Sequence, residues 1–416
     1  MKSMKTTLLA LTVFLLANSP AFAVPASTDS AYITQAGTNG SVTTTQTETA
    51  GSPNTITVNQ NAGSSNETAT VTQAGGGNNS ATVTQNGAGD EATVSQLGTG
   101  GTADVTQTEG GNGATVTQEA GSTSATATIV QDGSNTGIVT QKGITDTATV
   151  EQTGRGNFTM VGQDAASTLA SALVTQGGLG NNSRVDQSGV GNSATIEQIG
   201  YANGATIQQA DIATNEMATI NQNGRTSRGN IDQFGSSDTA VINQTKEDNR
   251  ADITQVGAGS NSATVNQNFD GSIANSAHIS QAGFENEATL NQSGNSNDLT
   301  VGQIGEGNAI SFTQSGNRNI ADITQTGNSN VATLLEQSGS SNDLTVEQNG
   351  NFSVVQVTES ADTNTASITQ TGDSHSATLV QSGGGNTATI GQSGATAKLA
   401  ELTQSGSGNT TTVTQN

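Results

Sequence analysis

The chain has 416 residues, 31% of them hydrophobic and 2% aromatic, with Gly 52, Pro 3, Cys 0 and Trp 0, and a formal net charge of −23 from 34 acidic and 11 basic side chains. Ordinary soluble domains are roughly 45–50% apolar and roughly 25% charged, so conventional globular cores of this total length are excluded, as are disulfide scaffolds and thiolate metal sites. No basic stripe exists to meet phosphates, so nucleic acid is not an expected partner, while low charge and few prolines speak against disorder.

The first segment, residues 1–23, reads as a secretory signal peptide. Lys2 and Lys5 form a basic start, Leu8 to Ala17 a short apolar run, and Ala21-Phe22-Ala23 a small-residue cleavage site, so the cut is expected between Ala23 and Val24. The apolar run is too short to span a bilayer, and no integral membrane segment is expected after cleavage. Residues 24–53 form an N-terminal segment with irregular first repeats, beginning at the phrase ITQAG.

From 54 to 416 the chain is one repeat. With the closing Gln of phrases such as ATVTQ, ATIEQ and ADITQ as an anchor, 34 anchors run from Gln35 to Gln415, and 22 of the 33 steps between them are 11 residues. One anchor, Glu359, is not Gln. The residue two before the anchor is Val, Ile, Leu or Phe in 33 of 34 cases, and the residue four before is Ala in 22. Asn, Ala, Val/Ile and Gln thus alternate with Thr, Ser, Asp, Asn and Glu. That period of two puts the first set on one face of a strand, and the Gly-rich stretch after each anchor supplies the turn. Steps from odd to even anchors are 11 residues in 14 of 17 cases and from even to odd in 8 of 16, as expected for coils of two strands with one fixed edge and one tolerant edge.

The expected fold is all-β, a β-solenoid of about 17 strand-turn-strand coils forming two facing parallel sheets, roughly 80 Å long at about 4.8 Å per strand. A single coil buries too little to offset its own ordering entropy, so coils must stack. Inward amides then need partners, which an in-register stack provides as ladders. The expected ladder residues are Gln187, Asn192, Ala194, Ile196 and Gln198; Gln281, Asn286, Ala288, Leu290 and Gln292; Gln314, Asn319, Ala321, Ile323 and Gln325; and Gln381, Asn386, Ala388, Ile390 and Gln392. Glu359 is expected between Gln337 and Gln381, its carboxylate accepting from both. The other acidic residues read as outward and turn positions on a solvated face. The last unit, Gln404 to Gln415, is an ordinary one with no visible cap, so Val413 and Gln415 are the expected assembly end.

The best units read Q-x-G-x-x-N-x-A-x-x-x-Q, as in Gln187 to Gln198 and Gln281 to Gln292. This pattern resembles the curlin repeat, and the chain resembles a long, many-repeat variant of the family's major subunits. The motif carries onto Gln187, Gly189, Asn192, Ala194 and Gln198, and onto Gln281, Gly283, Asn286, Ala288 and Gln292. The resemblance implies a secreted functional amyloid: subunits that cross the outer membrane through a dedicated curli secretion channel, are nucleated at the cell surface by a minor curlin, and polymerise into adhesive fibres of a biofilm matrix. It also implies a secretion-targeting role for the place that residues 24–53 occupy.

The alternatives are a solenoid that never polymerises, acting as a surface spacer or adhesin, and an ice-binding solenoid. Thr-x-Thr pairs precede only a few anchors, among them Gln73, Gln85, Gln118 and Gln415. A calcium β-roll would need Asp in its turns, and QNGAGDEA near Asp90 is isolated. An enzyme needs paired carboxylates or bases in a cleft; the two histidines, His278 on an outward position and His375 at a motif Asn, read as substitutions within the repeat. No catalytic, metal or cofactor site is expected.

Overall fold

The structure is a computed structural model that describes residues 29–47, 52–210, 213–257, 259–267 and 273–416. The signal peptide and its Ala23–Val24 junction lie outside the described residues. Thirty-two strands, β1 to β32 in chain order, run from Ser30–Gln35 to Thr410–Gln415 with no helix among the described residues. Two of them, β9 (Thr126–Gln141) and β10 (Thr147–Gln163), each pass through two repeat units without a break. The strands therefore hold all 34 anchors.

Outside β9 and β10, which pair with each other and with their sequence neighbours β8 and β11, each strand pairs in parallel with the strand two further along. Thus β1 pairs β3 (Thr55–Gln60), and β2 (Ser41–Gln46) pairs β4 (Thr68–Gln73). Register is fixed anchor to anchor: Gln35 lies beside Gln60, Gln198 beside Gln222, Gln392 beside Gln415. The result is an all-β parallel solenoid, two ladders of strands wound as coils. The two ladders join where β9 and β10 carry the pairing around the corner.

The alternation seen in the sequence is the alternation of burial. In a typical strand, Thr68–Gln73, residues switch between exposed or half-buried and buried at every step. The inward Val, Ile, Leu and Ala form one continuous core along the whole rod. The small residue four before the anchor has a steric cause. A Cβ built on Gly229, at that place, would lie 3.0 Å from Ile220 Cγ2 and 3.5 Å from Ile242 Cγ2 of the facing sheet. At such places the branched side chains of one sheet fill the space above the small residue of the other, while Ile56, Leu299, Ile310 and Leu344 fill the same place themselves in other coils.

Turns contain two positions at positive φ. At the first, two after the anchor, Gly189 (φ 96) and Gly283 (φ 117) sit so close to the next coil that a Cβ would fall 1.9 Å from Ala213 O and 2.1 Å from Gly305 O. This is why the motif demands Gly there. At the second, just before the corner Asn, Ser296 (φ 57) and Arg318 (φ 56) are accommodated, because side chains there leave the stack.

One irregularity breaks the period. In β25 (Val331–Gln337) the register slips between Ile310 and Phe312, which pair with Ala332 and Leu335. Counting back from Gln337 puts Thr333 at the small inward place, but the bulge returns Ala332 to it.

Candidate functional site

The features able to carry a function are the polar ladders inside the rod and the strand edges at its two ends. One glutamine ladder is unbroken from Gln46 to Gln415, each Nε2 donating to the Oε1 of the next coil at 2.7–3.0 Å. It contains Gln187, Gln281, Gln325 and Gln392. The second runs in the same sense from Gln35 to Glu359, also at 2.7–3.0 Å, through Gln198, Gln292, Gln314 and Gln337. It resumes with Gln381 donating to Gln404 Oε1 at 2.7 Å.

The remaining amide hydrogens tie the coil together. Gln292 Nε2, for example, also donates to Ser276 O at 2.8 Å. The corner asparagines form a second set of ladders. Asn319 Nδ2 donates to Ser315 O and Gly339 O at 2.9 and 3.2 Å, while its Oδ1 accepts from Asn342 N at 3.0 Å. Asn192, Asn286 and Asn386 likewise accept a backbone N–H of the next coil through Oδ1, at 3.0, 3.2 and 3.0 Å. Ala194, Ile196, Ala288, Leu290, Ala321, Ile323, Ala388 and Ile390 are all in the core between these ladders. Buried amides are thereby satisfied by stacking, which a lone coil does not provide.

Two expectations are corrected. Glu359 lies in register between Gln337 and Gln381, but it accepts from Gln337 alone, at 2.7 Å through Oε2. Gln381 has its Nε2 turned the other way, to Gln404 and Thr365 O, so it offers Glu359 no donor.

The second correction concerns acids read as solvated. Glu67, Asp90, Asp146, Glu216 and Asp238 are at most 1% exposed. They occupy corner Asn positions, and in all but Glu67 one oxygen does the work of Asn Oδ1: Asp238 Oδ1 accepts from Asn261 N at 2.7 Å and Glu216 Oε2 from Asp238 N at 3.0 Å. The signal that finds them is phase, six residues before the anchor. Burial pushes Asp90, Asp146 and Asp238 up from the usual carboxylate range. Burial also raises Glu67, with Asp90 repelling it from the next coil, and takes Glu216, beside Asp238, to about 8.

His278 is exposed, whereas His375 is buried at a corner position with Nε2 donating to Thr371 O at 3.1 Å. It replaces the corner amide of its coil.

At the ends, pairing is one-sided. Among the described residues β1 and β2 pair only with β3 and β4, and β31 (Leu399–Ser405) and β32 (Thr410–Gln415) pair only with the strands before them. Val42, Leu402 and Val413 are partly buried against the core, and Gln35, Gln46 and Gln415 are half-buried. Among the described residues, no group of three or more His, Asp or Glu could hold a metal ion, and no helix is long and apolar enough to cross a membrane.

Four segments, residues 76–108, 274–305, 316–350 and 361–394, match the curlin associated repeat. These four segments carry the curlin associated repeat. No curated protein matches it. The matched segments hold the same ladder positions as the coils between them: Gln85 and Gln107, Gln281 and Gln303, Gln325 and Gln348, and Gln370 and Gln392 are consecutive donor–acceptor pairs. Curlin repeats on a parallel solenoid fit a curli-like structural subunit.

Proposed function

We propose that the chain is a major, non-enzymatic subunit of an extracellular curli-like amyloid fibre, assembling end to end by β-strand addition. The observation that carries this is the polarity of the ladders. Every Gln donates toward the C-terminal side, so Gln35 and Gln46 present Oε1 for which no described residue supplies a donor. Gln415 spends one Nε2 hydrogen on Leu399 O and has a second to give. Through Gln415 the C-terminal coil of one copy thus offers to Gln46 of the next what each rung of that ladder already offers its neighbour. Strand edges of this kind template further strands. In this reading residues 1–23 direct export and are removed at Ala23, residues 24–53 guide passage through an outer-membrane curli channel, and a minor curlin nucleates growth. The fibre serves surface adhesion and biofilm matrix.

The test is electron microscopy of residues 24–416 diluted out of denaturant without helper proteins. Unbranched fibres many rods long support the reading. Single rods that persist at high concentration and salt refute self-assembly and favour the spacer or ice-binding solenoid.

A further inference from the structure

The second glutamine ladder contains one rung that the other rungs do not explain. Glu359 in β27 (Val354–Ser360) is 0% exposed and stacked between Gln337 of β25 and Gln381 of β29 (Ser376–Ser382). Its Oε2 accepts from Gln337 Nε2 at 2.7 Å. Its Oε1 has no partner, and neither has Gln381 Oε1, both being buried. At the equivalent rungs above, an amide N–H fills the gap between coils. Here adjacent rungs each hold a buried oxygen without a donor, and one hydrogen between them would satisfy both.

Gln381 does not supply it. Its Nε2 donates to Gln404 Oε1 at 2.7 Å and to Thr365 O at 3.4 Å. Turning Gln381 over would place its oxygen against that of Gln404. Turning Gln404 as well would set its oxygen against Thr387 O, to which its Nε2 donates at 2.9 Å. It would also reverse the ladder's polarity at the C-terminal end. A carboxylic acid, in contrast, has the donor and acceptor pattern of the amide it replaces.

We propose that Glu359 is carried as the neutral acid in the folded chain, its carboxyl O–H donating to Gln381 Oε1, and that this rung makes the stability of the solenoid proton-dependent. The ladder is continuous only when the proton is present. The inference concerns the folded subunit and stands whether or not subunits polymerise.

The surroundings favour the neutral form. Burial raises Glu359 from 4.5 to about 8; the bond from Gln337 opposes the rise, and the Asp343 carboxylate of the facing strand β26 (Asp343–Asn349) adds to it. Gln337 and Gln381, packed on either side, carry no charge. An acid raised in this way binds its proton more tightly folded than unfolded. Its contribution is present in full below about pH 4.5 and is lost as pH rises through about 8.

The experiment is urea unfolding of the full chain, wild type beside Glu359→Gln, followed by circular dichroism from about pH 5 to about pH 9 at a dilution where chains stay separate. Glu347→Gln, which removes an exposed charge from the outer face of β26, is the control. The expected result is a wild-type to Glu359→Gln ratio of folding constants that falls by close to tenfold per pH unit between about 5 and 8, with Glu347→Gln parallel to wild type. The infrared spectrum of the folded wild type should show a protonated-carboxyl band that Glu359→Gln weakens. A flat ratio with an unchanged band overturns the proposal, as does an equal fall with pH in the wild-type to Glu347→Gln ratio. Failure to form fibres would bear on the proposed function and leave this comparison intact.

Discussion

Glycine placement offers a sharp test of the stacking argument, because two glycines of neighbouring turns share a positive φ but differ in what lies above them. Gly294 has φ 87, and a Cβ there would fall 1.9 Å from Gly316 O; Gly307 has φ 66, and its nearest neighbour would be Ser329 Oγ at 3.6 Å. Ala at either position takes the left-handed penalty of about 1–2 kcal/mol. Only Ala at 294 must also push two coils apart, an overpacking cost of about 1–3 kcal/mol. Gly294→Ala should therefore lose about 2–5 kcal/mol. Gly307→Asn should lose only a few tenths, since Asn39, Asn66 and Asn78 already occupy that place at φ 57–63. Urea unfolding gives the totals, and hydrogen exchange shows whether loss of protection centres on the coils holding Gly294 and Gly316. Equal losses for Gly294→Ala and Gly307→Ala would falsify the view that the motif Gly is fixed by the carbonyl of the next coil.

Gln281→Ala removes a rung whose neighbours, Gln255 Nε2 and Gln303 Oε1, are then buried without each other's bridge; at about 1–3 kcal/mol for each orphan, a loss of about 2–6 kcal/mol is expected in urea unfolding, and a loss under 1 kcal/mol would mean that water takes over the rung. Val413→Asp places a charge on the inward face of the last strand, where Val413 packs against the core; those chains should fold through their middle coils yet fail to extend seeds, and normal seeded growth would remove this coil from the growing contact. The net charge of −23 should slow assembly at low salt, with screening shortening the lag; an unchanged lag between low and physiological salt counts against it. Glu216, pushed to about 8 by burial and Asp238, contributes stability below about pH 4.5 that is lost as pH rises through about 8. Glu216→Gln should flatten part of the fall in urea midpoint between those limits, and an identical fall in wild type and variant would place Glu216 in water.

Strand phase, register and inward face were legible in the sequence because all three follow from one period of two locked to one anchor. Gln198 and Ile196 could be placed inside from their spacing alone, since a slip of one residue would turn the whole strand over. What the sequence reading missed were features that depend on neighbouring coils. The bulge at Ala332–Leu335 appears only when β25 is laid against Phe312. Continuity of β9 and β10 around the corner depends on the pairing of those two strands with each other. Asp90 and Asp238 look like turn acids until the corner position is seen to point inward. The direction of the amide ladder is a choice between two equivalent senses for one residue, and it becomes fixed only through the cross-ties, such as Gln292 to Ser276 O.

The same physics that makes the coils alike makes their differences informative. A stack of identical rungs has no preferred register between copies, because any coil fits on any other. Several rungs that differ lie within the rod, among them Glu67 above Asp90, Glu216 above Asp238, His375, Glu359 and the bulge of β25, while Asp29 holds the corner place of the first coil, its Oδ1 accepting from Asn54 N at 2.7 Å. Each matches the neighbour that chain connectivity gives it and fits a displaced neighbour poorly, since a buried acid set against another oxygen needs a proton that an amide does not. The rungs at Gln35, Gln46, Gln404 and Gln415 are plain glutamines. In the proposed fibre, copies would meet through the plain glutamine rungs at Gln35, Gln46 and Gln415, so acids within the rod can set the stability of the subunit without lying at that contact.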